Sequence, residues 1–207
     1  MPKRRMRGGA VVGVAEHGNS AVLVTLTREG ELLDRRTVDL TRDLPTHPYH
    51  HEGSWAVGRY RDSPRSRDIS LSDAIALVDR VRKAAALGAR VALDGLASSL
   101  SVPISSMTLR VCPGLPATTK ERIVDTRAAT VADSVMYREA LATEALARDW
   151  SVHWYDRERV SQEAAMALVG KDVETFLQAM GRAIGPPWQA GHKLAARAAL
   201  AMMRLPA

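Results

Sequence analysis

The stretch Ala10-Val-Val-Gly-Val-Ala-Glu-His-Gly-Asn-Ser-Ala-Val-Leu-Val-Thr-Leu-Thr27 decides the fold. Residues 10–15 are an uninterrupted apolar run of strand length. Gly18-Asn-Ser20 supplies a turn, and the β-branched run 21–27 returns as a second strand. Glu29-Gly30 marks another turn, after which Leu33, Val38 and Leu40 alternate with Arg35, Arg36 and Asp39. Three strands with tight connections predict an antiparallel meander at the start of the chain.

Downstream the pattern changes. Residues 41–69 carry Pro, Gly, Ser and Arg without periodicity and are expected to be a long loop insertion. Ser70-Leu-Ser-Asp73 opens a helix whose apolar positions are Leu71, Ile75, Val78, Val81 and Ala85, and Gly88 is expected to end it. Arg90-Val-Ala-Leu-Asp94 is read as a short fourth strand stopped by Gly95, and residues 96–117 as irregular. Thr118-Thr-Lys-Glu121 is a second capping box, with an Ala-rich helix expected to about residue 149. Trp150 to Tyr155 is the fifth strand. Asp156 is expected to cap a helix from about Glu158, and residues 188–204 form the last helix. The order βββαβαβα predicts an α/β protein with a mixed five-stranded sheet, flanked by helices on right-handed crossovers. That arrangement is ribonuclease-H-like.

Composition narrows the function classes. In 207 residues, 46% hydrophobic and 25% charged, there is a full core for an ordinary globular domain. The single cysteine, Cys112, excludes a disulfide scaffold and a multi-cysteine zinc site, and its place between Val111 and Pro113 suits a small apolar filler. No apolar run approaches the ~20 residues of a membrane span, and none follows the basic start in the manner of a signal sequence. A cytoplasmic protein is expected, with no membrane partner. Residues 1–9, which hold Lys3, Arg4, Arg5 and Arg7, are expected to be a flexible basic arm before a single domain at 10–207. The formal charge of +6, with 24 of 29 basic residues being Arg, suits a polyanionic partner and equally suits a compositional bias towards Arg.

Four stretches, in order along the chain, resemble the RuvC-type Holliday-junction resolvases, a branch of the ribonuclease-H-like superfamily. Val11-Val-Gly-Val-Ala-Glu-His-Gly18 is similar to the family's first strand. Val91-Ala-Leu-Asp94 is similar to its acid-ended fourth strand, and Trp150 to Gly170 to its fifth strand and following helix. Ala190-Gly-His-Lys-Leu-Ala-Ala-Arg-Ala-Ala-Leu-Ala201 is similar to its Ala-rich final helix. The resemblance implies cleavage of branched DNA by Mg²⁺ or Mn²⁺ held between acids from distant elements. It places the first-strand acid on Ala15, the fourth-strand acid on Asp94, and the two final-helix acids on His192 and Ala195. The catalytic and metal-binding candidates are accordingly Glu16, in place of the missing first-strand acid, Asp94 and His192.

Each candidate has a plainer alternative. Asp94 suits a turn cap, His192 a surface helix position, and Glu16 points to the opposite sheet face from residue 15 unless it lies beyond the strand end. Arg59, Arg61, Arg65 and Arg67, near Trp55 and Tyr60, suit a nucleic-acid backbone or a solvated loop. His47, His50, His51 and Glu52 offer transition-metal ligands without the spacing of a helical zinc motif. Met202 and Met203 suit packing on the sheet or a homodimer contact. Three functions follow. The first is a nucleic-acid-binding protein with an incomplete acidic site and no cofactor. The second is a metal-dependent endonuclease on branched DNA, and the third a transition-metal-binding protein using residues 47–52.

Overall fold

In the computed structural model, which describes residues 9–203, five strands form one mixed sheet in the order β3-β2-β1-β4-β5. The expected basic arm, apart from Gly9, lies outside the described residues. Strands β1 (Ala10–His17), β2 (Ser20–Leu26) and β3 (Leu32–Asp39) are the antiparallel meander, and β4 (Ile104–Arg110) and β5 (Ser151–Tyr155) run parallel to β1. β1 is central, and its burial on both faces explains its unbroken apolar run.

The first sheet face packs against α2 (Leu71–Ser99) and α4 (Thr126–Leu146), gathering Val12, Val14, Leu93, Met107, Leu109 and Leu141 into the larger core. The second face packs against α7 (Ala190–Met202), supported by α5 (Val160–Ala167) and α6 (Val173–Ile184), with Val11, Ala15, Ala195 and Ala199 in its core. α7 sits very close to β1. A Cβ on Gly13 would lie 1.8 Å from the Ala195 carbonyl oxygen, so the small residues of both elements set the separation of sheet and helix.

Three linked sequence expectations are corrected. Residues 90–94 are not a strand. They lie inside α2, where Leu77, Val81, Ala85, Ala89, Leu93 and Leu96 continue one buried stripe at helical spacing. Gly88 does not end that helix; a Cβ there would lie 2.1 Å from the Leu40 carbonyl oxygen, so glycine lets α2 cross the end of the meander. The fourth strand is instead Ile104–Arg110, within the stretch expected to be irregular.

The caps are mostly as expected. The Ser70 hydroxyl accepts from the Asp73 amide, and Thr118 and Glu121 form a capping box. That box starts only α3 (Thr119–Val124). The chain then leaves helical geometry at Asp125, whose carboxylate caps α4 by accepting from the Ala128 amide. Asp156 accepts from the Glu158 amide in a turn, and α5 begins two residues later than that. Within 41–69, residues Tyr49–Gly53 form a π-helical turn followed by the short α1 (Ser54–Ala56), so part of the expected loop is helical. Asp133 of α4 anchors it, accepting from the amides of Tyr49 at 2.9 Å and His50 at 3.0 Å. The fully buried Tyr49 side chain completes the anchor.

Candidate functional site

The carboxyl ends of β1, β4 and β5 point the same way, and the N-terminus of α7 meets them there. They enclose an open cavity of about 690 Å³ lined by Ala15, Glu16, Arg110, Tyr155, Arg157, His192 and Arg197, among others. Such strand ends are the usual place for ligands in open α/β sheets.

Strand alternation determines what reaches the α7 side of this cavity. Val11 and Ala15 join the core beneath α7, whereas Val12 and Val14 face α4. Glu16, one residue past Ala15, therefore turns towards α4. Its carboxylate accepts from Arg138 Nε at 2.7 Å, within a salt bridge whose closest approach is 2.5 Å. The two side chains are only 7% and 5% exposed. Arg138 also donates to the Val111 carbonyl, so the pair ties the end of β1 to the backbone leaving β4.

On β4, Met107 and Leu109 face the larger core, which places Thr108 and Arg110 on the α7 side. Arg110 is in register with Tyr155 on β5, whose hydroxyl donates to the Val14 carbonyl. Burial raises the Tyr155 pKa well above the ordinary phenol value, with the Glu16 charge adding to the effect. Tyr155 is thus a neutral hydroxyl beside Arg110 and Arg157. Neither arginine has a carboxylate partner among the described residues. Arg197 of α7 reaches the cavity while pairing with Glu174.

His192 is 6% exposed and forms part of the α7 cap. Its Nδ1 accepts from the Gln189 amide at 3.1 Å, and its ring stacks on Trp188. Burial first, then the Arg35 charge, lowers its pKa, which keeps the ring neutral. The structure brings Glu16 and His192 to one cavity but leaves Asp94 elsewhere. Asp94 lies on the exposed side of α2 and accepts from Arg148, which also bonds Glu144, itself paired with Arg90. It is a member of a helix–helix ion-pair network.

The insertion's basic residues divide by role. Arg59 donates to the carbonyls of Ile123 and Val124 and to Ser54, holding the insertion against the end of α3. Arg61 and Arg67 border a small cleft with Trp55, and Arg65 is exposed. His47 and His50 each lie with their rings 5.3 Å from that of His51, and His47 Nδ1 is 3.9 Å from Asp133. Burial and the neighbouring imidazoles lower the pKa of His47. Burial pushes the Asp133 carboxyl up to about 7 against the opposing effect of its two amide donors.

Among the described residues, no three His, Cys, Asp or Glu side chains are placed to hold a metal ion. The strand-end cavity offers one carboxylate, already paired, among several guanidinium groups. That donor set does not fit a hard divalent cation, which requires several oxygen ligands. Sequence reasoning missed Arg110, Arg157 and Tyr155. Reading 104–110 as the fourth strand would have put Arg110 at its end.

The sheet order, crossover pattern and helix placement define an α/β protein of the ribonuclease-H-like fold. No protein-family model matches the chain, and no curated protein does. Among solved structures, the chain resembles T. thermophilus RuvC in complex with Holliday junction substrate, with a TM-score of 0.52 and 10% identity over 94% of this chain and 92% of that one. A second structure of Thermus thermophilus RuvC aligns at 11% identity over 93% and 92% of the two chains, with a TM-score of 0.47. At such identity the likeness is one of fold. Among the described residues, no helix is long and apolar enough to cross a membrane.

Proposed function

We propose that this chain is a nucleic-acid-binding protein that uses the strand-end cavity of a ribonuclease-H-like fold to grip phosphate rather than to cut it. One observation carries the reading: Arg110 ends β4 and faces the cavity, where the family resemblance calls for an acid. With the fourth strand correctly placed, the four positions at which that resemblance expects acids are Ala15, Arg110, His192 and Ala195. None is a carboxylate. A guanidinium there opposes a divalent cation and suits a phosphate oxygen pair, to which it donates bidentately. Arg157 adds a second exposed cation beside it. The comparison structure holds a Holliday junction, so branched DNA is the first ligand to test.

The test is fluorescence anisotropy with a labelled four-way junction, its duplex arms and a single strand, with parallel gels in magnesium or manganese. Binding without cleavage is expected. Arg110→Glu should weaken every complex and reduce the steepness of log K against log salt, for each phosphate the variant no longer neutralises, by about 0.9 on duplex arms and about 0.7 on the single strand. Asp94→Asn, remote from the cavity, should bind as the unaltered chain does. Metal-dependent cleavage abolished by Glu16→Gln would overturn the reading in favour of an active endonuclease, and an absence of binding would remove nucleic acid as the partner.

A further inference from the structure

Arg110 is the last residue of β4 and stands between two openings. The strand-end cavity lies on its α7 side. A second cleft of about 400 Å³, lined by Cys112, Pro113, Val131 and Ser134, lies on its α4 side, and Arg110 and Arg157 border both. The end of a strand does not by itself decide between two such openings. A slip of one residue in the pleat turns a side chain to the other face of the sheet. A phosphate grip in the cavity therefore requires that the backbone just past Arg110 be held.

Two hydrogen bonds hold it. The Val111 amide donates to the Tyr155 carbonyl at 3.0 Å, and the Val111 carbonyl accepts from Arg138 Nη1 at 2.9 Å. The backbone of residues 112–115 makes no hydrogen bond among the described residues. The chain is next fastened at Pro116, whose carbonyl accepts from Arg122. Arg138 suits the first of these anchors because its guanidinium is a rigid planar fork. Its Nε and Nη2 meet the Glu16 carboxylate at 2.7 and 2.5 Å, which fixes the plane and leaves Nη1 aimed at Val111. The end of β1 that carries Glu16 is itself braced, since the Tyr155 hydroxyl donates to the Val14 carbonyl.

Stability alone does not call for this pair. Apolar side chains of similar volume often replace a whole buried ion pair at no cost. Nor does the pair change the field at the cavity appreciably, because its two charges cancel. What apolar side chains could not supply is a donor of fixed direction. We infer that Glu16 and Arg138 are positioning residues of the phosphate grip: together they set the Val111 peptide and so turn Arg110 towards the α7 side of the strand ends. This rests on the phosphate reading above and adds to it the part that aims the cation. Glu16 then serves the site without touching its ligand.

The experiment is a cycle of four full-length chains: unaltered, Arg110→Ala, Glu16→Leu/Arg138→Met, and all three substitutions together. Affinity for a labelled duplex and four-way junction is read by anisotropy at one salt concentration, beside circular dichroism melts. Arg110→Ala should weaken binding about tenfold in the unaltered chain, the size of one hydrogen bond to a charged group. Glu16→Leu/Arg138→Met keeps the net charge and should melt close to the unaltered chain while also binding about tenfold more weakly. In that background Arg110→Ala should cost less than about twofold. Such non-additivity at an unchanged melt reports aiming, which a purely structural pair would not couple to Arg110. Arg138→Lys keeps a counter-charge for Glu16 but loses the planar fork; it should show the same lost coupling, and it carries the test if the apolar pair does not fold. A full tenfold effect of Arg110→Ala in a folded chain of either background would overturn the inference and leave the phosphate reading standing. An Arg110→Ala chain that binds as the unaltered one does, or an unaltered chain that does not bind, would overturn both.

Discussion

Glu16 is the residue on which catalytic and structural roles diverge most sharply, and its removal distinguishes them. Its carboxylate and the Arg138 guanidinium are both buried and bonded to each other, and Arg138 also bonds the Val111 carbonyl. Glu16→Ala leaves a buried guanidinium without its counter-charge. Removing one partner of such a pair costs about 3–5 kcal/mol. For a domain of this size each kcal/mol lowers Tm by about 2–4 °C, so the melt should fall by roughly 6–20 °C. Circular dichroism melts and urea titrations at neutral pH measure this directly. The double variant Glu16→Leu/Arg138→Met removes both charges at similar volume and should recover most of the loss, because apolar replacement of a whole buried pair is often neutral. A melt lowered by less than about 3 °C in the single variant, for want of a desolvated charge, would refute this account. So would a double variant less stable than the single.

Two further outcomes follow from the packing. Gly13→Ala should destabilise by about 3 kcal/mol or more, since its Cβ meets the backbone of Ala195 and Ala199 rather than a side chain that can rotate. Gly95→Ala, with open space around it inside α2, should instead stabilise by about 0.5–1 kcal/mol; paired denaturant titrations would show the opposite signs. Asp133 gives a pH signature. Its folded-state pKa of about 7 lies above the ordinary 3.8, so the folded chain holds more protons between those values. Its contribution is present at low pH and declines as pH rises from about 4 towards 7, whereas the lowered imidazoles of His47 and His50 act in the opposite direction near pH 6. The stability difference between the unaltered chain and Asp133→Asn should therefore shrink across that window, and a difference that grows with pH would contradict the assignment.

The meander, the fifth strand and the last helix were legible because each carries a decisive local signal. Gly18-Asn-Ser20 turns the chain tightly between two β-branched runs, and α7 repeats alanine at helical spacing on the face that meets Gly13. The fourth strand was not legible for an equally local reason. Arg90-Val-Ala-Leu-Asp94 is a short apolar run that fits either period, and a preceding glycine looked like a stop. Only the tertiary contact reveals that Gly88 makes room for the Leu40 carbonyl rather than ending a helix. The true strand, Ile-Ser-Ser-Met-Thr-Leu-Arg110, is weakly apolar in its first half because Ser105 and Ser106 follow the isoleucine, although Pro103 and Pro113 bracket it.

That single misplacement carried through to the chemistry. With the strand at 90–94, its end was an acid, and a partial metal site could be assembled from Glu16, Asp94 and His192. With the strand at 104–110, its end is a cation, Glu16 faces α4, and His192 uses Nδ1 to cap its own helix. The fold does not require acids at these positions. Its close β1–α7 packing rests on Gly13 and the alanines of α7. Exchange of the strand-end side chains is thus free to invert the charge of the cavity without loosening the core. An arginine introduced among intact acids would be neutralised by them. Here it stands beside Ala15, with Arg157 exposed nearby and the one local carboxylate bound to Arg138, so the cavity presents a net positive field to any polyanion reaching the strand ends.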